Sequence, residues 1–153
     1  MYTEQITQRD AIGAGVPPQT LNNATVNTDA VDMEHSRRAF FIVTQGATTG
    51  SLSCWLQESA DNVTWPTAGT ASPFSNSGGA NVSQTGLTTA NKITTFEVRA
   101  GQLTTGKRYV RLQVKEVNSS NVLLAVVAIG DEGVDKPNNA NNASAVGTQN
   151  VVT

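Results

Sequence analysis

The clearest alternation of apolar and polar residues lies between residues 91 and 130. In the run Arg108–Val117 every second residue from position 110 to 114 is apolar, which is typical of a strand with one buried and one exposed face. Four turn-forming residues, 118–121, separate this run from Val122–Gly130, so we expect the two strands to form a β-hairpin. The second run is almost wholly apolar, which indicates a strand covered on both faces, either as a central strand or by a neighbouring subunit.

Further strands are predicted upstream, with alternation in Ser51–Glu58 and Lys92–Ala100, a strong apolar run at Ser36–Thr44 and a weaker pattern in Ala24–Met33. Charged residues make up only 14% of the chain, and Asn, Thr, Ser, Ala and Gly take their place. These small and hydroxylated residues suit turns and strand surfaces better than helix interiors. We therefore expect an all-β protein, an antiparallel β-sandwich of jelly-roll type, with an immunoglobulin-like sandwich as the alternative topology.

A chain of 153 residues is expected to form one domain. We predict that the sandwich occupies residues 24–131, with an N-terminal arm at 1–23 and a C-terminal arm at 132–153. Pro17-Pro18 and nearby glycines exclude a continuous helix from the first arm. Each arm is either a disordered tail or an extended segment ordered by a neighbouring molecule, because termini are disordered unless they are tied down.

Large apolar side chains in the arms and in the longest irregular loop are the candidate protein-interface residues. Phe74 is the one aromatic residue of the irregular stretch between residues 67 and 90, and its alternative role is to fold back on the core of its own domain. In the N-terminal arm the apolar anchors suggest a segment that becomes ordered only on a partner. The candidate interface residues are Tyr2, Ile6, Ile12, Phe74, Val151 and Val152.

Charge and hydropathy exclude several classes of partner. The net charge is −2 and the ten basic residues are scattered, so nothing in the sequence attracts a nucleic-acid backbone. No apolar run is long enough to enter a membrane, and the N-terminus has no signal-peptide pattern. Cys54 is the only cysteine, so no intrachain disulfide can form, and its alternation with Leu52 and Leu56 predicts a buried, unreactive thiol.

The residues required for catalysis or metal binding do not form a recognisable pattern. His35 is the only histidine and lies in a charged segment, so we expect it on the surface. One histidine and one cysteine cannot complete a zinc site, and the acidic residues between 131 and 138 match no calcium loop. Strand carboxylates such as Glu97 and Glu116 are interpreted as ordinary surface charges rather than as a hydrolase pair. We predict neither an enzyme nor a metal or cofactor site.

The segment Ser59–Trp65 is similar to the Asp-box hairpin of β-propeller proteins, in which Asp and Ser bind the turn backbone. It is one residue short and lacks the glycine of that motif. We interpret it as a stabilised turn without a catalytic role, followed by a returning strand that begins at Val63.

Several strings along the predicted strands carry a likeness to a known group: VDMEHSRRAFFIVTQG (Val31–Gly46), LQESADNVTW (Leu56–Trp65), FEVRAGQLTTGKRYVRLQV (Phe96–Val114) and AVVAIGD (Ala125–Asp131). They resemble small proteins of tailed bacteriophages that are encoded near the major capsid protein, some of which decorate or cement the head. The resemblance covers roughly two thirds of the chain, from Val26 to Asp131, and excludes both arms. The chain departs from the pattern in a longer, Ser/Asn-rich insertion around Phe74.

The resemblance implies a virion protein that binds the outer face of the major capsid protein shell and stabilises the head. It further implies self-association as a dimer or trimer, and assembly in the host cytoplasm onto the capsid exterior. The alternative function is a carbohydrate-binding or adhesion module of a phage fibre or surface protein. Trp55 is expected to face away from Cys54 and Leu56, and exposed aromatic side chains bind sugar rings in β-sandwich lectins.

Overall fold

The computed structural model describes residues 10–74, 78, 80–81 and 83–133. Its strands are β1 (Ala11–Leu21), β2 (Thr25–Asn27), β3 (Val31–Asp32), β4 (Ser36–Thr48), β5 (Leu52–Ser59), β6 (Pro73–Phe74), β7 (Ala80–Asn81), β8 (Ser83–Leu87), β9 (Lys92–Arg99), β10 (Tyr109–Glu116) and β11 (Val122–Gly133). A 3-10 turn, Ala100–Gln102, follows β9.

The strands form two antiparallel sheets packed face to face, which confirms the predicted all-β sandwich. The first sheet, called sheet A, has the strand order β1-β11-β4-β9. The second, sheet B, has the order β2-β10-β5-β8, with β3 also paired to β10. Short β6 and β7 pair with each other in a separate ribbon.

The core lies between the inner faces of the two sheets, where alternate residues of each strand are buried. Sheet A contributes Phe41 and Leu124, and sheet B contributes Leu56 and Leu112, all almost completely buried. Cys54 lies beside them, fully buried as predicted, and burial raises the pKa of its thiol to about 12. The period-2 pattern therefore located the inner faces of β5 and β10 correctly.

The predicted hairpin between β10 and β11 is wrong, because β10 belongs to sheet B and β11 to sheet A. The five connecting residues, 117–121, cross from one sheet to the other, with Ser119 in the left-handed conformation at a φ of 54°. The buried Glu116 carboxylate organises this crossing by accepting backbone N–H bonds from Asn118 (2.7 Å), Asn23 (2.7 Å) and Ser51 (3.4 Å). A turn-forming tetrapeptide is compatible with a hairpin within one sheet and with a crossing between two sheets, and tertiary packing selects between them.

The N-terminal boundary also differs from the prediction, because residues 11–21 of the expected arm form β1 at one edge of sheet A. This strand pairs with β11 from Ala11↔Gly130 to Leu21↔Val122, with irregularities around Val16. Val16 and Leu21 point into the core and are buried. Hence this part of the chain is ordered by its own domain and requires no capsid, whereas residues 1–9 lie outside the described residues.

Phe74 is a core residue rather than an exposed anchor. Its side chain is 1% exposed and belongs to the main hydrophobic cluster, which confirms the alternative that it folds back on its own domain. The adjacent Ser72 holds the segment against the edge of β5, since its N–H donates to the Leu56 carbonyl at 3.0 Å. Its hydroxyl also accepts a bond from the Glu58 N–H at 2.8 Å.

Candidate interaction surface

The outer side of sheet A carries a continuous set of apolar side chains, which we call the apolar face. Across the sheet, Ile129 of β11 pairs with Ile12 of β1 and Phe40 of β4, and the next outward residue, Val127, pairs with Ile42. One further step along, Ala125 pairs with Thr44, and Thr44 pairs with Ile93 of β9. The apolar face consists of Ile12, Phe40, Ile42, Ile93, Leu123, Ala125, Val127 and Ile129.

Several of these side chains are open to solvent. Ile93 is 67% exposed, Leu123 44% and Val127 41%, while Phe40 and Ile42 are partly buried by their neighbours. Alternate residues of β11 and β4 point inward and are buried, so the outward residues make no contribution to the core. Because β-branched and aromatic side chains lie side by side on β1, β11 and β4, the apolar surface is contiguous across these strands, and Ile93 lies next to it on β9, beside Thr44.

A row of charged residues borders the apolar face at one end. Arg38 lies 3.5 Å from a Glu97 carboxylate oxygen and 3.7 Å from one of Asp131, and Arg99 lies 3.9 Å from Glu97. Two cations and two anions thus balance within the row. The pairs are partly solvated and each contributes little to stability, but the end of the face carries no excess of either charge.

The outer side of sheet B is different, because residues 60–72 cover it with a hydrogen-bonded polar layer. Gln57 is fully buried there, donates to the Thr70 carbonyl at 2.8 Å and accepts from the Arg111 guanidinium at 2.9 Å and 3.0 Å. Gln113 accepts a bond from the Gly69 N–H at 2.6 Å. These buried amides are satisfied by the loop, by the Arg111 guanidinium and by the Asn27 side chain, so this layer is a structural one.

Both tryptophans lie on this loop-covered side. Trp55 points away from the core, as predicted, but is only partly exposed and lies under the loop at Gly69. Trp65 stacks against Arg111, whose guanidinium carbon is 4.2 Å from the ring centroid. Each of the two indole rings therefore has a neighbour within the chain on at least one side.

The turn at Asp61 is stabilised as the sequence predicted. Its carboxylate accepts bonds from the Val63 and Thr64 N–H groups, at 2.9 Å and 2.7 Å, and from the hydroxyls of Thr64 and Ser59, both at 2.9 Å. These donors hold the pKa of Asp61 far below its usual value. The predicted returning strand is wrong, since residues 63–65 form no strand and Val63 is 81% exposed.

A second charged cluster lies beside a shallow groove at one end of the sandwich. Arg108 donates to both carboxylate oxygens of Asp32, at 2.7 Å and 2.5 Å, and also contacts Glu34. Burial by itself raises the pKa of Asp32, but the bonds from Arg108 and from the Glu34 N–H lower it further than burial raises it. The bidentate pair fixes β3 against the start of β10. His35 lies nearby with its side chain 52% exposed, on the surface as predicted.

Of the predicted interface residues, Ile12 alone lies on the apolar face, and Phe74 lies in the core. Tyr2, Ile6, Val151 and Val152 lie outside the described residues. The sequence did contain the missed signal, because the runs around Phe40–Val43 and Leu123–Val127 are apolar on both faces. The sequence predicted that the second run is covered on both faces, as a central strand or by a neighbouring subunit, but it did not identify the neighbouring strands that extend the patch.

Within the described part of the chain, no three His, Cys, Asp or Glu side chains are grouped so that they could hold a metal ion. The same residues include no helix of the length and hydropathy needed to cross a membrane.

Comparisons with known proteins add a distant likeness. No protein-family model and no curated protein sequence matches the chain. Among solved structures, a chain of Desmodium yellow mottle tymovirus is similar with a TM-score of 0.35 and 12% identity, over 84% of this chain and 89% of that one. At this TM-score the likeness carries no argument about function.

Proposed function

We propose that the chain is a structural protein of a phage virion that binds the outer face of the major capsid protein shell and stabilises the head. The observation that carries the proposal is the apolar face of sheet A. Surface patches of this kind mark contacts with other proteins, and a decoration protein acts through such contacts alone. The resemblance of Val26–Asp131 to phage proteins encoded beside the capsid gene supports the same role.

The rest of the domain suits a rigid building block. The bidentate Arg108–Asp32 pair and the Glu116 carboxylate tie loops at the ends of the sheets to the strands. The loop over sheet B is anchored through Gln57 and Gln113. A preorganised surface loses little conformational entropy on binding, so most of its contact energy appears as affinity. The proposal assigns no catalytic step to the protein.

Co-sedimentation of the purified chain with undecorated heads of the encoding phage tests the function. We expect saturable binding and a higher temperature of DNA release from decorated heads. Val127→Lys, which places a charge on the apolar face, should weaken binding, whereas Val63→Lys on an exposed turn should not. Absence of wild-type binding would overturn the proposal, and glycan-array binding by the same sample would favour the adhesion alternative.

A further inference from the structure

We infer that the apolar face is the contact between two copies of this chain, which form a two-fold dimer by packing sheet A against sheet A. The inference rests on the proposed function in one respect only, the use of this face as a protein contact. It names the partner as a second copy, so that the capsid shell contacts other parts of the dimer, and the face supports head binding by joining two copies whose linked contacts raise the apparent affinity for the shell.

The size of the face agrees with a dimer contact. The apolar residues span four strands, from Ile12 on β1 to Ile93 on β9, and four outward positions of β11, from Leu123 to Ile129. With strands about 4.8 Å apart and about 6.6 Å between successive outward residues, the rectangle that encloses the apolar face measures on the order of 500 Å² in each copy, polar positions such as Thr44 and Thr95 included. Two copies together bury on the order of 1,000 Å², which is about the smallest area expected of a specific interface.

The shape of the face favours a second copy as well. A twisted sheet with β-branched outward residues packs well on another sheet at about 10 Å, as the two sheets of a sandwich do. A two-fold axis places the same patch on both sides, so Val127 and Ile42 of one copy would lie against the equivalent apolar rows of its partner. Face-to-face packing of this kind buries the apolar face of both copies, so the assembly stops at two subunits.

The charges at the border are compatible with this arrangement. Arg38, Arg99, Glu97 and Asp131 neutralise one another within a single copy. A second copy can therefore cover the apolar rows without bringing an excess of like charge towards its own row. The described residues of this face and its border offer an unrelated partner no net charge to steer or orient it.

Sedimentation velocity of the purified full-length chain, without heads, tests the inference over roughly a hundredfold range of concentration. We expect a species of twice the mass of the 16.0 kDa chain. Val127→Lys and Ile93→Lys should each raise the dissociation constant of the dimer by at least about a hundredfold, because a lysine charge would be desolvated in the contact. The matched control Val63→Lys should dimerise like the wild type.

Ile93→Lys keeps the test informative if Val127→Lys fails to fold, since Ile93 is 67% exposed on an edge strand and its replacement removes no core contact. A wild-type monomer, a trimer, or a dimer that survives Ile93→Lys unchanged would each overturn the inference. A dimer that dissociates in the variants but never binds heads would retain the inference while refuting the capsid role. A wild-type monomer that binds heads saturably would refute the dimer and support the capsid role.

Discussion

Replacing Gly15 with alanine is expected to loosen β1 from sheet A. A methyl carbon at this position would overlap the Val126 carbonyl oxygen and lie 2.7 Å from the carbon of the same carbonyl. Both obstacles are backbone atoms of β11, so no side-chain rotation relieves the overlap and the two strands must separate. Gly13, two residues earlier on the same strand, is a matched control, because its methyl group would meet the Ala128 carbonyl oxygen at an ordinary 3.5 Å.

The size of the effect follows from what β1 contributes to the core. If only the irregular region around Gly15 shifts, one or two ladder hydrogen bonds weaken, at about 0.5–1.5 kcal/mol each. If the strand detaches beyond Gly15, Val16 and Leu21, which are 4% and 2% exposed, leave the core at about 1.5–3 kcal/mol each. The expected loss lies between about 0.5 and 6 kcal/mol, which at its upper end is a large share of the roughly 5–15 kcal/mol typical of a domain.

Urea unfolding of the wild type and both variants, followed by tryptophan fluorescence, measures this loss as a shift of the midpoint at constant slope. Gly13→Ala should be neutral or slightly stabilising, since an added methyl group in an unstrained position restricts the unfolded chain. Hydrogen exchange should further show faster exchange of the β1 amides in Gly15→Ala. Equal stability of the two variants would refute this reasoning and would support the sequence-based prediction that residues 11–21 belong to an arm rather than to sheet A.

Two further predictions concern Glu116 and Cys54. Burial by itself raises the pKa of Glu116, but N–H donors from Asn23, Asn118 and neighbouring residues hold it below the usual value. The carboxylate therefore contributes stability that is present above about pH 5 and is lost as the pH falls through the folded pKa. Glu116→Gln should be less stable than the wild type at pH 7, and its stability should fall less steeply between about pH 5 and 3. Thermal melts of both proteins across this pH range measure the difference, and parallel pH profiles would contradict the prediction. The thiol of Cys54, with its pKa raised to about 12, should resist iodoacetamide at pH 8 in the native state and react after unfolding. Labelling of the folded protein would instead show that the core opens at Cys54.

Local patterns in the sequence determined the central strands of both sheets and much of the burial. Alternation within Ser51–Glu58 and Arg108–Val117 predicted β5 and β10 together with their inner faces, and it correctly buried Cys54. The carboxylate and hydroxyls around Asp61 predicted a stabilised turn. These features depend on residues a few positions apart, so a short window of sequence contains the information that specifies them.

The tertiary structure alone decided which strands are neighbours. β10 and β11 follow each other in sequence yet lie in different sheets, and β1, with two glycines and two prolines, pairs with β11 more than a hundred residues away. The apolar face likewise exists only because β1, β11, β4 and β9 bring residues such as Ile12, Phe40 and Val127 side by side. Periodicity reports which faces of a strand are apolar, whereas strand pairing and the covering of a face depend on contacts between residues distant in the chain.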